Sequence, residues 1–134
     1  MGSNTGACAD APAAHPDGDT IARLCHTIRP ARPGERAAQD AIEAALIADG
    51  VPYTREARLS RTDRIDFLTA TGVGIEVKVD CPVADVLRQL ARYARHDQIA
   101  ALVVVATNPR SVHRLPATIG GVPVTAIVPT MRVM

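Results

Sequence analysis

Three ionisable side chains lie on segments that are otherwise apolar: Asp66 within Arg64 to Thr69, and Glu76 and Lys78 within Val73 to Val79. Lys78 is the only lysine of the chain; every other basic residue of the Lys/Arg class is arginine. Strand alternation puts Glu76 and Lys78 on one face and Ile75, Val77 and Val79 on the other. The two segments are joined by the turn-like Ala70-Thr71-Gly72, so they read as a hairpin. That hairpin brings Asp66 within about one residue of lying opposite Glu76, and cross-strand neighbours sit about 5 Å apart. Two carboxylates that close repel unless a cation lies between them. Mg²⁺ is such a cation, taking a few carboxylate oxygens and keeping several waters, and Mn²⁺ is the expected substitute. A lysine on the same face can hold an attacking water, lower its pKa or neutralise a phosphate. Arginine replaces it poorly, because its guanidinium never gives up a proton. The plainer alternative is a Glu-x-Lys salt bridge on a solvated strand face.

The elements that must position these residues follow from periodicity. Glu35 to Asp49 is a helix with Ala38, Ala41, Ile42, Ala45 and Leu46 as its apolar stripe, ended by Gly50. Strands are expected from Tyr53 to Leu59, Arg64 to Thr69 and Val73 to Val79. Pro82 suits the first turn of a helix running from Val83 to about Arg95. Ile99 to Ala106 is a continuously apolar, buried strand. Pro109 to Ile119 is expected to be irregular, and Val122 to Val128 to be an edge strand because of Pro123. Residues 1–33 read as a disordered tail carrying a short helix over 20–28, residues 34–129 as one domain, and residues 130–134 as a C-terminal tail. The order α-β-β-β-α-β predicts an α/β fold with a mixed central sheet flanked by helices.

Composition narrows the function classes. With 134 residues, 47% of them hydrophobic, the chain can build one real core. Aromatics are confined to Tyr53, Phe67 and Tyr93, too few for a base-stacking surface. A net charge of +1 does not by itself argue for nucleic acid. Cys8, Cys25 and Cys81 have neither disulfide nor zinc spacing, which fits a reducing, cytoplasmic setting. No apolar run is long enough to span a membrane, and the basic-then-apolar order of a signal peptide is missing. His15, His26, His96 and His113 show no ligand spacing, and no glycine-rich phosphate loop is present.

Asp66 followed by Glu76-Val77-Lys78 resembles the D…(D/E)-x-K signature of the PD-(D/E)xK nuclease superfamily, with Ile65 where the name has proline. The element order resembles that family's restriction-endonuclease-like αβββαβ core. Glu35 and Gln39 resemble the E-x-x-x-Q pattern of VRR-type members. Gln89-Leu90-Ala91-Arg92-Tyr93 resembles the Q-x-x-x-Y motif of the RecB-like branch, and the set is also similar to Holliday-junction-resolvase-like members. The likeness spans roughly Glu35 to Val105. It implies that Asp66 and Glu76 ligate Mg²⁺ with the Val77 carbonyl, and that Lys78 serves the attacking water. It also implies that Glu35 completes the site, with Glu43 of the same helix as the alternative acid. Gln89 and Tyr93 would orient Lys78 or touch the substrate backbone, although Tyr93 reads equally well as a packing residue.

Arg55, Arg58, Arg61 and Arg64 recur every third residue, and Arg88, Arg92 and Arg95 form a ridge on the second helix. Such ridges are usually solvated faces; beside a carboxylate site they are candidates for holding phosphates. Asp63, Asp85 and Asp97 dilute that positive field. The expected activity is therefore Mg²⁺-dependent hydrolysis of phosphodiester bonds, with DNA as the substrate and partner, in repair, recombination, restriction or a phage-related process. The alternative is an inactive nuclease fold acting as a binding or assembly module in a larger complex. A homodimer would double the binding surface. DNA versus RNA, endo- versus exonuclease action and oligomeric state are not legible in the sequence.

Overall fold

The computed structural model describes residues 16–129 of the chain. Residues 1–15 of the expected 1–33 tail and the C-terminal tail over 130–134 lie outside the described residues. Helix α1 spans Pro16–His26, with Asp17 and Asp19 in its first turn and Arg23 and His26 in its last, the order that suits the helix dipole. It starts before the 20–28 helix read from the sequence and ends sooner. It is also no appendage: Ile21, Ala22 and Cys25, with Ile28 just beyond, are buried in the main core. The core therefore includes α1, which lies ahead of the expected boundary at residue 34. Burial in this core pushes the Cys25 thiol up to about 12, leaving it an inert apolar filler.

Helix α2 spans Glu35–Ala48, entered through Gly34 at φ 114°, a backbone angle that favours glycine. It buries Ala37, Ala38, Gln39, Ile42 and Leu46. Strands β1 (Tyr53–Arg58), β2 (Arg64–Thr69) and β3 (Val73–Lys78) form an antiparallel meander. Helix α3 (Val83–Tyr93) crosses over to β4 (Ala101–Ala106), which runs parallel to β3 and is buried along its whole length. A 3₁₀ turn (Pro109–Val112) and the two-residue β5 (Thr118–Ile119) precede β6 (Val122–Ile127). The stretch expected to be irregular thus carries two short elements.

The six strands are ordered β1-β2-β3-β4-β6-β5, a mixed sheet. Strand β6 is parallel to β4 and is covered on its outer side by β5 through Thr118↔Pro123 and Ile119↔Val122. The expected edge strand is therefore the penultimate one. Helices α1 and α2 pack with Phe67, Val73, Ile75, Val77, Val103 and Val105 on one side of the sheet. Helix α3 packs through Val86, Leu90 and Tyr93 with Ile65, Leu102 and Val104 on the other. Among the described residues, no helix is long and apolar enough to cross a membrane.

The sheet is distorted beside Asp66. Ile65 and Phe67 should share a face, yet Ile65 lies in the α3 core and Phe67 in the α1/α2 core. On β1, Tyr53 packs on the α1/α2 core and Ala57 in the α3 core. The strand pair therefore turns over between these residues, at Glu56 and Asp66, which the register sets opposite each other between Arg55↔Phe67 and Ala57↔Ile65. Glu56 takes the left-handed conformation there, at φ 55°.

Candidate active site

The β2–β3 ladder runs Leu68↔Gly74 and Phe67↔Ile75, which continues to Asp66 opposite Glu76. At that step the two backbones no longer pair with each other. The Asp66 N–H donates to Glu76 Oε1 at 3.3 Å, and the Val77 N–H donates to Asp66 Oδ2 at 2.8 Å. Each carboxylate is thus wedged between the strands where they splay, and each is held by the other strand's main chain. Lys78 Nζ lies 3.1 Å from Glu76 Oε2. Alternation along β3 puts both side chains on one face, as the sequence predicts, and with Ile75 and Val77 in the α1/α2 core that face is the α3 side.

Burial governs the electrostatics here. Glu76 is 4% exposed. Its removal from water, reinforced by the Asp66 charge and opposed by Lys78, pushes its carboxyl up to about 7. Asp66 is also raised, first by burial and then by the charges of Glu35 and Glu56, with the Val77 N–H and the Gln39 amide working the other way. Two carboxyls that resist ionisation side by side are in a condition that a bound cation relieves.

From one side the site is approached by α2. Gln39 is buried, and its Nε2 donates to Glu35 Oε2 at 3.2 Å. Of the two candidate acids, Glu35 is the one whose charge reaches Asp66. Glu43 is committed elsewhere: it accepts from the Tyr53 hydroxyl at 2.6 Å and from Arg55 Nη1 at 2.7 Å. The Tyr53 hydroxyl, then Arg55, hold the Glu43 carboxyl below its ordinary value.

From the other side comes α3. Gln89 Nε2 donates to the Tyr93 hydroxyl at 2.8 Å, and that hydroxyl donates to the Arg64 carbonyl at 2.8 Å. Tyr93 is 1% exposed, so it is not a surface contact for a substrate backbone; it ties α3 to β2 just before Asp66. Burial, then the charges of Glu76 and Asp66, push its phenol upward, so it stays a neutral donor.

The arginines divide where the strand pair turns over. Arg55 faces the α1/α2 side, bonded to Glu43, Asp40 and Gln39 and lying over the Phe67 ring at 5.5 Å. It is not available to hold a phosphate, contrary to its place in the expected binding ridge. Arg58 and Arg61 are exposed at the hairpin tip, and Arg64 is exposed while paired with Glu56 at 3.1 Å. Arg88 pairs with Asp85. Arg92 Nε bonds Asp63 at 3.1 Å, and His96 Nε2 meets the other oxygen of the same carboxylate at 2.8 Å. Asp63 is thereby held below its ordinary value, by His96 first and then Arg92, and it pins the hairpin tip to the end of α3. In the sequence Asp63 reads only as a charge diluting the ridge. Glu56 is not singled out there at all, because its left-handed backbone leaves no mark in the pattern of residue types.

The donor set suits a small, hard cation. Asp66 and Glu76 offer carboxylate oxygens. In β3 the Lys78 carbonyl accepts from Thr107 next to β4, whereas the Val77 N–H points to β2. A strand residue directs its N–H and C=O to the same side, so the Val77 carbonyl also faces the gap between the splayed strands. One or two carboxylates with further oxygens from main chain and water is the usual Mg²⁺ environment.

No protein-family model matches the chain, and no curated protein or solved structure matches it significantly.

Proposed function

We propose that the chain has the PD-(D/E)xK nuclease core and hydrolyses DNA phosphodiester bonds with Mg²⁺. The observation that carries the reading is the meeting of Asp66, Glu76 and Lys78 where the β2–β3 ladder gives way, with Lys78 Nζ 3.1 Å from Glu76. A solvated salt bridge does not account for a glutamate that is 4% exposed and raised to about 7. Breaking two strands apart around a buried and a half-buried carboxyl costs stability, and such costs cluster at functional sites.

In this mechanism Asp66, Glu76 and the Val77 carbonyl would hold Mg²⁺. When bound, Mg²⁺ supplies positive charge to the phosphate oxygens and makes water a better nucleophile near neutral pH. Lys78, anchored by Glu76, presents its ammonium to the attacking water and the phosphate, fixing the line of attack and offsetting negative charge as the bond to the leaving oxygen breaks. Glu35 closes the site from α2, directly or through a water. Tyr93, steadied by Gln89, fixes α3 against β2 just before Asp66. Exposed Arg58 and Arg61 at the hairpin tip would meet backbone phosphates, with Arg64, Arg88 and Arg92 exposed nearby but each paired with a carboxylate.

The test is cleavage of supercoiled plasmid, linear duplex, single-stranded and branched DNA with Mg²⁺ or Mn²⁺, beside chelator. Asp66→Asn and Lys78→Ala should each lower the rate by about 10²-fold or more, the range for removing a group that stabilises transition-state charge. Cleavage by either variant at the parent rate would overturn the mechanism. A folded protein that cuts no substrate would shift the reading to a binding or assembly module.

A further inference from the structure

The structure gives Arg55 a different task from phosphate binding. Its side chain is 22% exposed, and three groups on α2 take its donors: Asp40 at 3.0 Å, Glu43 at 2.7 Å and Gln39 Oε1 at 3.3 Å. Glu43 is itself fixed by the Tyr53 hydroxyl at 2.6 Å. Gln39 is the only one of the three that also faces the candidate site, through its Nε2 to Glu35 Oε2 at 3.2 Å.

A guanidinium can only donate. The Gln39 end that meets Arg55 must therefore be the carbonyl oxygen, and the amide nitrogen must point the other way. That nitrogen is turned towards Glu35 and the neighbourhood of Asp66, two groups that in ionised form can only accept. Were the amide reversed, its NH₂ would face the Arg55 donors and its oxygen would face the carboxylates, so both contacts would be repulsive. Burial of Gln39 raises the cost of such a mismatch.

We infer that Arg55 is a positioning residue: through the buried Gln39 amide it sets the orientation of Glu35 for cation binding. This rests on the nuclease reading for its purpose, but the amide orientation stands independently of it. Outer partners that orient ligands commonly change metal affinity by about 10- to 100-fold when removed.

Two measurements on the full chain decide it. The first uses NMR of the Gln39 side-chain amide without metal. The parent should show the NH₂ protons close to Glu35 and distant from the Arg55 side chain. Arg55→Met should change their shifts and speed their exchange, and Arg55→Lys, still a pure donor, should keep most of the parent pattern. NH₂ protons found against Arg55, or left unmoved by Arg55→Met, would overturn the inference. The second is Mn²⁺ titration calorimetry of Arg55→Met, Gln39→Ala and the double variant, with thermal melts to confirm folding. Each single change should weaken binding about tenfold, and the double change no more than the worse single one. Losses that multiply would mean that Arg55 does not act through Gln39. A parent that binds no Mn²⁺ would sink the metal reading, and the NMR result would still decide what Arg55 does to the amide.

Discussion

Glu76→Gln should make the metal-free protein more stable above neutral pH while removing its activity. Glu76 is 4% exposed, and its carboxyl rises from an ordinary 4.5 to about 7 on folding. A carboxyl with a raised native pKa binds its proton more tightly in the folded chain. Its contribution is fully present below about pH 4.5 and is lost as pH climbs through 7. At 1.36 kcal/mol for each tenfold change, the ionised form costs the fold about 3 kcal/mol at pH 8. That figure already contains the attraction of Lys78, which opposes the rise. Glutamine resembles the protonated acid in shape and hydrogen-bonding capacity, so the variant avoids the loss. Urea unfolding with chelator at pH 4.5 and pH 8 would read it. At roughly 2 kcal/mol per molar for a chain of this size, the variant's midpoint should exceed the parent's by about 1.5 M at pH 8 and match it at pH 4.5. Mn²⁺ should then stabilise the parent and not the variant. A variant less stable than the parent at pH 8 would refute the reasoning. It would mean that Glu76 and Lys78 form a net-stabilising ion pair, as an ordinary salt bridge would.

Three more outcomes are expected from the geometry. Glu56→Gly should be neutral or stabilising by up to about 1 kcal/mol in thermal melts, because a left-handed L-residue costs about 1–2 kcal/mol; Thr54→Gly on the same strand should destabilise instead. Asp63→Asn should flatten the acid limb of the stability curve: the Asp63 carboxyl is held below its ordinary 3.8 by His96 and Arg92, so its contribution is present above that pH and is lost as pH falls. Gly74→Ala should lower stability by about 1–3 kcal/mol, since its Cβ would sit 2.6 Å from Ile65 Cδ1 and 3.0 Å from Ile99 Cδ1 in a packed core.

The sequence by itself determined the order of the main helices and strands, the pairing of Glu76 with Lys78 on one face of β3, and the meeting of Asp66 with Glu76. These are local matters: strand alternation and a short turn leave few other registers, and period two cannot hide a charge in an apolar run. Equal spacing of Arg55, Arg58, Arg61 and Arg64 also reads as one ridge. Only the tertiary structure divided it, because the turn-over at Glu56 and Asp66 sends Arg55 to α2 and leaves Arg58 and Arg61 at the tip. The different surroundings of Glu35 and Glu43 arise the same way. Both glutamates are on α2, and what separates them is that Tyr53 and Arg55, on another strand, occupy Glu43. The burial of α1 and the covering of β6 by β5 likewise depend on contacts between segments distant in the chain. Residue types fix which groups can donate, accept or ionise; which partner each one meets is set by the packing of the sheet against its helices.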